Sequence, residues 1–344
     1  MLFPETALAD YSPTMSAVVP AEWSTHRAMW VGFPSHPDLW EQNLDEARRE
    51  VVGLIRALAG PGAEHVKVMT ATPEAEETAR KSLVDVPNVT IVPGDFGDIW
   101  LRDTGPIFTS PGEAVAFRFN GWGGKYDLPG DADVAQQVAR HAGAHLRQVD
   151  FVLEGGALDH DGSGAVLTTR QCLLNANRNG RQTEAEVERQ LQAALGATSV
   201  HWLEEGLMND HTDGHVDNLA RFVGQSVIAC PVSFGEDDPN ADVYDAVATS
   251  LATFRQRDGS PHRIVRVPSP GRVLIDGHVA PASHMNFLIA NAAVVVPTYD
   301  DRRGNLAVEA LEQVFPGRQV IGLSSRALLT GGGSFHCITQ QEPA

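Results

Sequence analysis

Cysteine is scarce, basic charge is outnumbered and long apolar runs are missing. Cys172, Cys230 and Cys337 lie far apart and are odd in number, which excludes a disulfide framework and leaves no CxxC zinc or redox motif. A reducing compartment is the expectation. Against 44 Asp and Glu the chain carries 26 Lys and Arg, a formal net charge of -18. That balance disfavours nucleic-acid and anionic-membrane surfaces and raises the local concentration of a cationic ligand, although acidity for solubility alone is the plainer reading. No stretch reaches the roughly 18 apolar residues of a membrane span. The opening MLFPETALADYSPTMSAVVP has neither a basic start nor a sustained apolar run. No repeat of fixed short period and no low-complexity tract is visible. The expectation is a cytoplasmic enzyme or binding protein that engages neither nucleic acid nor membrane.

What is there suits a packed interior. With 344 residues and 42% hydrophobic content the chain has room for one large domain or two ordinary ones, and no linker forces two. Short β-rich runs begin at Val66 (VKVM), Val89 (VTIV), Ala114 (AVAFRF), Ala165 (AVLTT), Ser226 (SVIAC), Ala292 (AAVVVP) and Val320 (VIGL). Helix-period segments lie between them at 42–58, 74–83, 132–142, 183–195, 241–254 and 305–315. This alternation predicts an α/β fold.

Four segments carry chemistry. In His211-Thr212-Asp213-Gly214-His215-Val216-Asp217-Asn218, a strand would place His211, Asp213, His215 and Asp217 on one face. Such a face lines a cleft, meets solvent, or supplies a divalent metal, so a metal-dependent hydrolase stays open from these residues alone. In GGGSFHC, Cys337 follows Gly331–Gly333, in company that suggests an accessible thiol. The glycine run lacks the Lys and Ser/Thr of a phosphate-binding loop. Cys172 and Cys230 sit in or beside apolar runs and read as core residues. In GDIWLRDTGP two acids and an Arg leave a strand, and an exposed Arg102–Asp103 pair would carry little weight. In FVLEGG, Glu154 ends an apolar strand and wants a partner such as His215.

These segments, taken in order from PAEW at Pro20 through DIWLRDTGP, NGWGGKYD, FVLEGG, CLLNANRNG, NDHTDGHVDN, NFLIAN and GGGSFHCITQQ, resemble the agmatine deiminase family of the guanidine-modifying enzymes over nearly the whole chain. The resemblance implies one catalytic domain over 1–344, a five-bladed pseudo-symmetric α/β propeller (the pentein fold) with a central site, and a homo-oligomer, a dimer. It implies a nucleophile at Cys337, a general acid/base at His215, guanidinium-binding acids at Asp98 and Asp217, and a histidine-orienting acid at Glu154. No metal or organic cofactor is called for. A guanidinium carbon is a poor electrophile, so the chemistry needs a strong nucleophile and a cation held planar by carboxylates.

The implied substrate is a small cationic guanidine, agmatine foremost, with another guanidine or arginine derivative as the alternative and a non-catalytic amine binder as a distant one. Trp122, Asp213 and His211 are the expected tail contacts. Lys125 is the only basic residue in the loop from Asn120 to Asp133. Relatives that act on peptide C-terminal arginine carry arginines there to hold a carboxylate. Agmatine deiminases commonly have an acid where this chain has His211, which departs from the pattern at the tail.

Overall fold

The computed structural model describes residues 18–344. The first 17 residues, which hold most of the opening segment read above and the start of the expected 1–344 domain, lie outside the described residues.

The predicted helices form close to where the apolar spacing places them. The helix Leu44–Ala59 buries Ala47, Val51, Leu54, Ile55 and Leu58, the three-and-four spacing of a single face. Glu184–Leu195 begins with a capping box in which Thr183 and Glu186 satisfy each other's backbone N–H groups. Among the described residues no helix is long and apolar enough to cross a membrane.

The strands build an α/β architecture of separate small sheets with one recurring pattern. Ile107–Ser110 pairs antiparallel with Glu113–Arg118, which pairs parallel with His145–Val152 after the helix Val134–Ala142. Asp159–His160, Ala165–Thr169 and Ser199–Leu203 repeat this order. So do Arg221–Gly224, Val227–Val232 and Arg263–Pro268. Leu288–Ile289, Ala293–Thr298 and Gln319–Ser324 follow it again. The remaining large sheet joins the two ends of the described chain. Thr339–Pro343 runs antiparallel to His26–Gly32, which pairs parallel with Val66–Thr70 and then Val89–Pro93. A small hairpin, Leu274–Ile275 with His278–Val279, stands apart. Each parallel step is bridged by a helix, as parallel pairing demands.

The segment 211–218 is not the strand its alternation suggests. Asp213 (φ 63°) and Gly214 (φ 89°) take left-handed backbone, and Val216–Asn218 closes into a 3-10 turn. Period two therefore fails. His215 and Asp217 are fully buried, while His211 is exposed and Asp213 half-buried.

Candidate active site

The recurring pattern positions the site. Asp103 lies just before the strand Ile107–Ser110, Glu154 to Gly156 just before Asp159–His160, Asp217 just before Arg221–Gly224, Asn286 just before Leu288–Ile289, and Cys337 just before Thr339–Pro343. The same place in each of the five large sheets thus supplies a polar group or thiol. Several of these groups meet directly.

Cys337 is buried from the surface, and the access expected of its thiol is through a cavity that it lines. Its backbone C=O accepts from Arg102 N at 3.0 Å, tying it to the helical turn Leu101–Thr104. The side-chain amide of Asn286 donates to Cys337 Sγ at 3.2 Å, and Asp217 Oδ2 lies 3.8 Å from that sulfur. Burial, then the charges of Asp217 and Asp103, push the thiol well above its ordinary value. The glycines before it are a packing requirement. A Cβ at Gly333 would stand 2.6 Å from the Trp100 ring and 3.1 Å from Cys337 Cβ.

Asp103, not Asp98, is the second acid whose charge reaches this thiol. Its carboxylate accepts from Trp122 Nε1 at 2.9 Å and from Gly156 N at 3.0 Å, and Oδ1 lies 3.7 Å from His215 Nδ1. Burial and the neighbouring Asp217 charge raise its carboxyl well above the usual range. Asp98 is saturated instead, accepting from Ile99 N, Trp100 Nε1 at 2.7 Å and Trp40 Nε1 at 3.3 Å, and burial pushes it up to about 6. The exposed Arg102–Asp103 pair considered from sequence does not form. Both residues are 5% exposed, and Arg102 donates to Gln340 Oε1 at 2.6 Å.

Among the described residues His215 meets no hydrogen-bond partner at either ring nitrogen, and burial pushes it down to about 3, which favours the neutral imidazole. The expected Glu154–His215 hydrogen bond is absent. Glu154 Oε1 accepts from Arg178 Nε at 2.9 Å, and its other oxygen is unpaired. Arg178 was the partner that sequence did not supply. It also binds Asp213 and donates to the Thr212 carbonyl at 2.8 Å.

Asp213 is fully engaged. Besides Arg178, its carboxylate accepts from Lys125 Nζ at 2.6 Å and Asn177 Nδ2 at 2.9 Å. His211 stacks on Tyr126 at an interplanar angle of 14°, and its Nδ1 lies 2.6 Å from the Tyr126 hydroxyl. Together with Asp98, Trp122 and Cys337, both rings line a cavity of about 250 Å³. A wider cleft of about 790 Å³ shares Tyr126 and His211 with it.

The four residues of the sequence-based metal reading are not gathered. Among the described residues the donor atoms that do converge, within 4.8 Å of one another, belong to Glu154, Cys172 and His215. Arg178 already occupies one oxygen of that carboxylate, and burial pushes the Cys172 thiol well up, which suits a metal ion poorly.

Residues 18–343 match the model of the Porphyromonas-type peptidyl-arginine deiminases. Agmatine deiminase of Pseudomonas aeruginosa is 34% identical over 354 residues, covering 95% of each chain. The chain belongs to the agmatine deiminase family. Among solved structures, agmatine deiminase of Enterococcus faecalis superposes with TM-score 0.88 at 28% identity, over 95% of this chain and 96% of that one. A cysteine-to-serine form of C. jejuni agmatine deiminase with substrate bound gives TM-score 0.86 at 27% identity, over 95% and 96%.

Proposed function

We propose that the chain hydrolyses a guanidinium substrate, agmatine foremost, to N-carbamoylputrescine and ammonia through a covalent Cys337 intermediate. The observation that carries this reading is a buried thiol that lines a cavity together with Asp103 and has the buried Asp217 carboxylate 3.8 Å from its sulfur. Asp217 Oδ1 has no hydrogen-bond partner among the described residues, which suits a planar cation donating to it.

Binding of the cation reverses the local electrostatics. It favours the anions of Asp103 and Cys337, which burial and neighbouring acids otherwise disfavour. The thiol proton passes to the neutral His215, and the thiolate attacks the guanidinium carbon. The resulting imidazolium protonates one nitrogen, so the C–N bond breaks and ammonia leaves an amidino-thioether. His215 then takes a proton from water, which attacks the same carbon. The C–S bond breaks as the new hydroxyl gives up its proton to solvent and becomes the carbonyl, the thiolate recovers the proton held by His215, and the ureido product departs. Glu154 acts in this scheme through Arg178 and the charge around His215.

The five similar sheets, each contributing to the site at the same place, support a five-bladed propeller around it and one catalytic unit over 1–344. A homodimer rests on the resemblance alone.

A second reading, another small guanidine or arginine derivative, is favoured by the mouth. Asp213 is spent on Lys125, Arg178 and Asn177, and His211 faces Tyr126, so neither presents a free carboxylate to an ammonium tail. The test is ammonia release and ureido formation from agmatine, arginine, a C-terminal arginyl peptide and guanidinobutyrate, each beside Cys337→Ala. Turnover of agmatine alone, lost in the variant, is expected. Turnover of another guanidine with agmatine inert would move the assignment to the second reading, and no turnover at all would refute deimination.

A further inference from the structure

His336, the neighbour of the thiol, is 2% exposed and lies between two carboxylates. Its Nδ1 is 2.8 Å from Asp217 Oδ2 and its Nε2 is 3.0 Å from Glu22 Oε2. A neutral imidazole has one N–H and one lone pair, so it would set that lone pair against a carboxylate oxygen. Two donors resolve both contacts.

Resting on the reading of Cys337 and Asp217 as the guanidine site, we propose that His336 is a positioning residue, a doubly protonated imidazole that clamps Asp217 Oδ2 and leaves Oδ1 free for the substrate cation. The groups facing it bear this out from every side. Glu22 comes from the segment before the first strand, accepts from Arg221 Nη2 and from Ile289 N at 2.7 Å, and is thereby fixed as an anion. Arg221 in turn binds Asp159 at 2.5 Å. Arg102 donates to the His336 carbonyl at 3.4 Å, and His215 feels the charges of both Asp217 and His336. Burial would push Asp217 up, but the hydrogen bond and charge of His336 reverse this and hold it below its ordinary value. Asp103 has no such clamp and goes the other way. The two acids thus differ in what faces them, His336 lying against Asp217 while Asp103 has the charges of Asp217 and Glu154 beside it. The clamp also spans the chain, since Glu22 and His336 lie near its opposite ends.

Two variants separate orientation from support. His336→Asn can keep a donor toward Asp217, and His336→Gln a donor toward Glu22, but neither carries charge. The expected result is a KM for the turned-over guanidine raised about tenfold or more in both, with His336→Gln the weaker enzyme. The acid limb of kcat/KM should also steepen from about one proton toward about two as Asp217 joins Asp103 in holding a proton. Wild-type KM and an unchanged limb in folded variants would overturn the proposal, as would losses that merely follow thermal stability. Imidazole ¹⁵N NMR of the wild-type protein, assigned by signals lost in His336→Asn, reads the clamp without turnover. Two protonated ring nitrogens are expected, and a bare one overturns it. An inactive wild type would sink the deiminase reading, while the NMR result would still decide the clamp.

Discussion

Gly156→Ala tests the geometry at its tightest point. A Cβ there would stand 2.6 Å from His215 Nδ1, 2.8 Å from Asp103 Oδ1 and 3.1 Å from Asp217 Oδ2. Carbon needs about 3.5 Å from such neighbours, so one or more must retreat by roughly 0.5–1 Å. None can do so freely. His215 and Asp217 are fully buried, and Asp103 is pinned by Trp122 and by Gly156 N itself. Gly156 does not take left-handed backbone, so alanine brings no backbone strain and the effect isolates crowding. Overpacking costs about 1–3 kcal/mol of stability, whereas displacement of reacting groups by about 1 Å costs about 100-fold in rate. The expected outcome is a folded protein, melting a few degrees lower, with kcat/KM down about 100-fold. The control is Gly53→Ala in the helix Leu44–Ala59, whose Cβ would meet nothing within 4 Å. It should keep activity and gain up to about 1 kcal/mol, since alanine favours helix over glycine. Thermal unfolding and ammonia release on both variants decide the matter. Full activity in folded Gly156→Ala would mean that His215, Asp103 and Asp217 do not work in the arrangement described.

Two further outcomes follow from the charges. Asp103→Asn should lose at least about 100-fold in kcat/KM, while Asp98→Asn, whose carboxylate is held by two indoles and a backbone N–H, should act mainly through packing and melt lower with kcat closer to wild type; the reverse order in steady-state kinetics would restore Asp98 as the guanidinium acid. Alkylation of Cys337 in the free protein should titrate above the ordinary thiol value near 8.5, because burial and two acids raise it, with thiolate appearing only as pH rises through that higher value; a midpoint well below about 7 would refute ionisation assisted by the substrate.

The helices were legible because their apolar spacing is long and regular. Several strands were not, because Leu288–Ile289 and Asp159–His160 are only two residues each and carry no periodicity to read. The five similar sheets escaped notice for a related reason: the repeat lies in the pairing order, and connections of unequal length erase any fixed period. At the site, Cys337, His215 and Asp217 stood out as chemistry-bearing residues, but the alternation around His215 suggested one face. Left-handed backbone at Asp213 and Gly214 instead puts His211 at the mouth and His215 and Asp217 inside. Between Asp98 and Asp103 sequence offers no choice, since both are acids in one short motif and only the turn Leu101–Thr104 decides which of them lies by the thiol. The partners Arg178, Glu22 and His336 were hidden because their contacts cross the chain.

These hidden partners explain why the site is assembled with its charges incomplete. Arg178 satisfies Glu154 and Asp213, and Arg221 with His336 satisfies Glu22, Asp159 and one oxygen of Asp217. Among the described residues no lysine or arginine hydrogen-bonds Asp103, Cys337 or the second oxygen of Asp217. Burial therefore favours the neutral forms of Asp103 and Cys337 and leaves one acceptor bare, and neutral acids and thiols are cheap to bury. A planar cation suits all three. The same step that binds it creates the nucleophile, so a neutral isostere that fills the cavity should fail to activate Cys337.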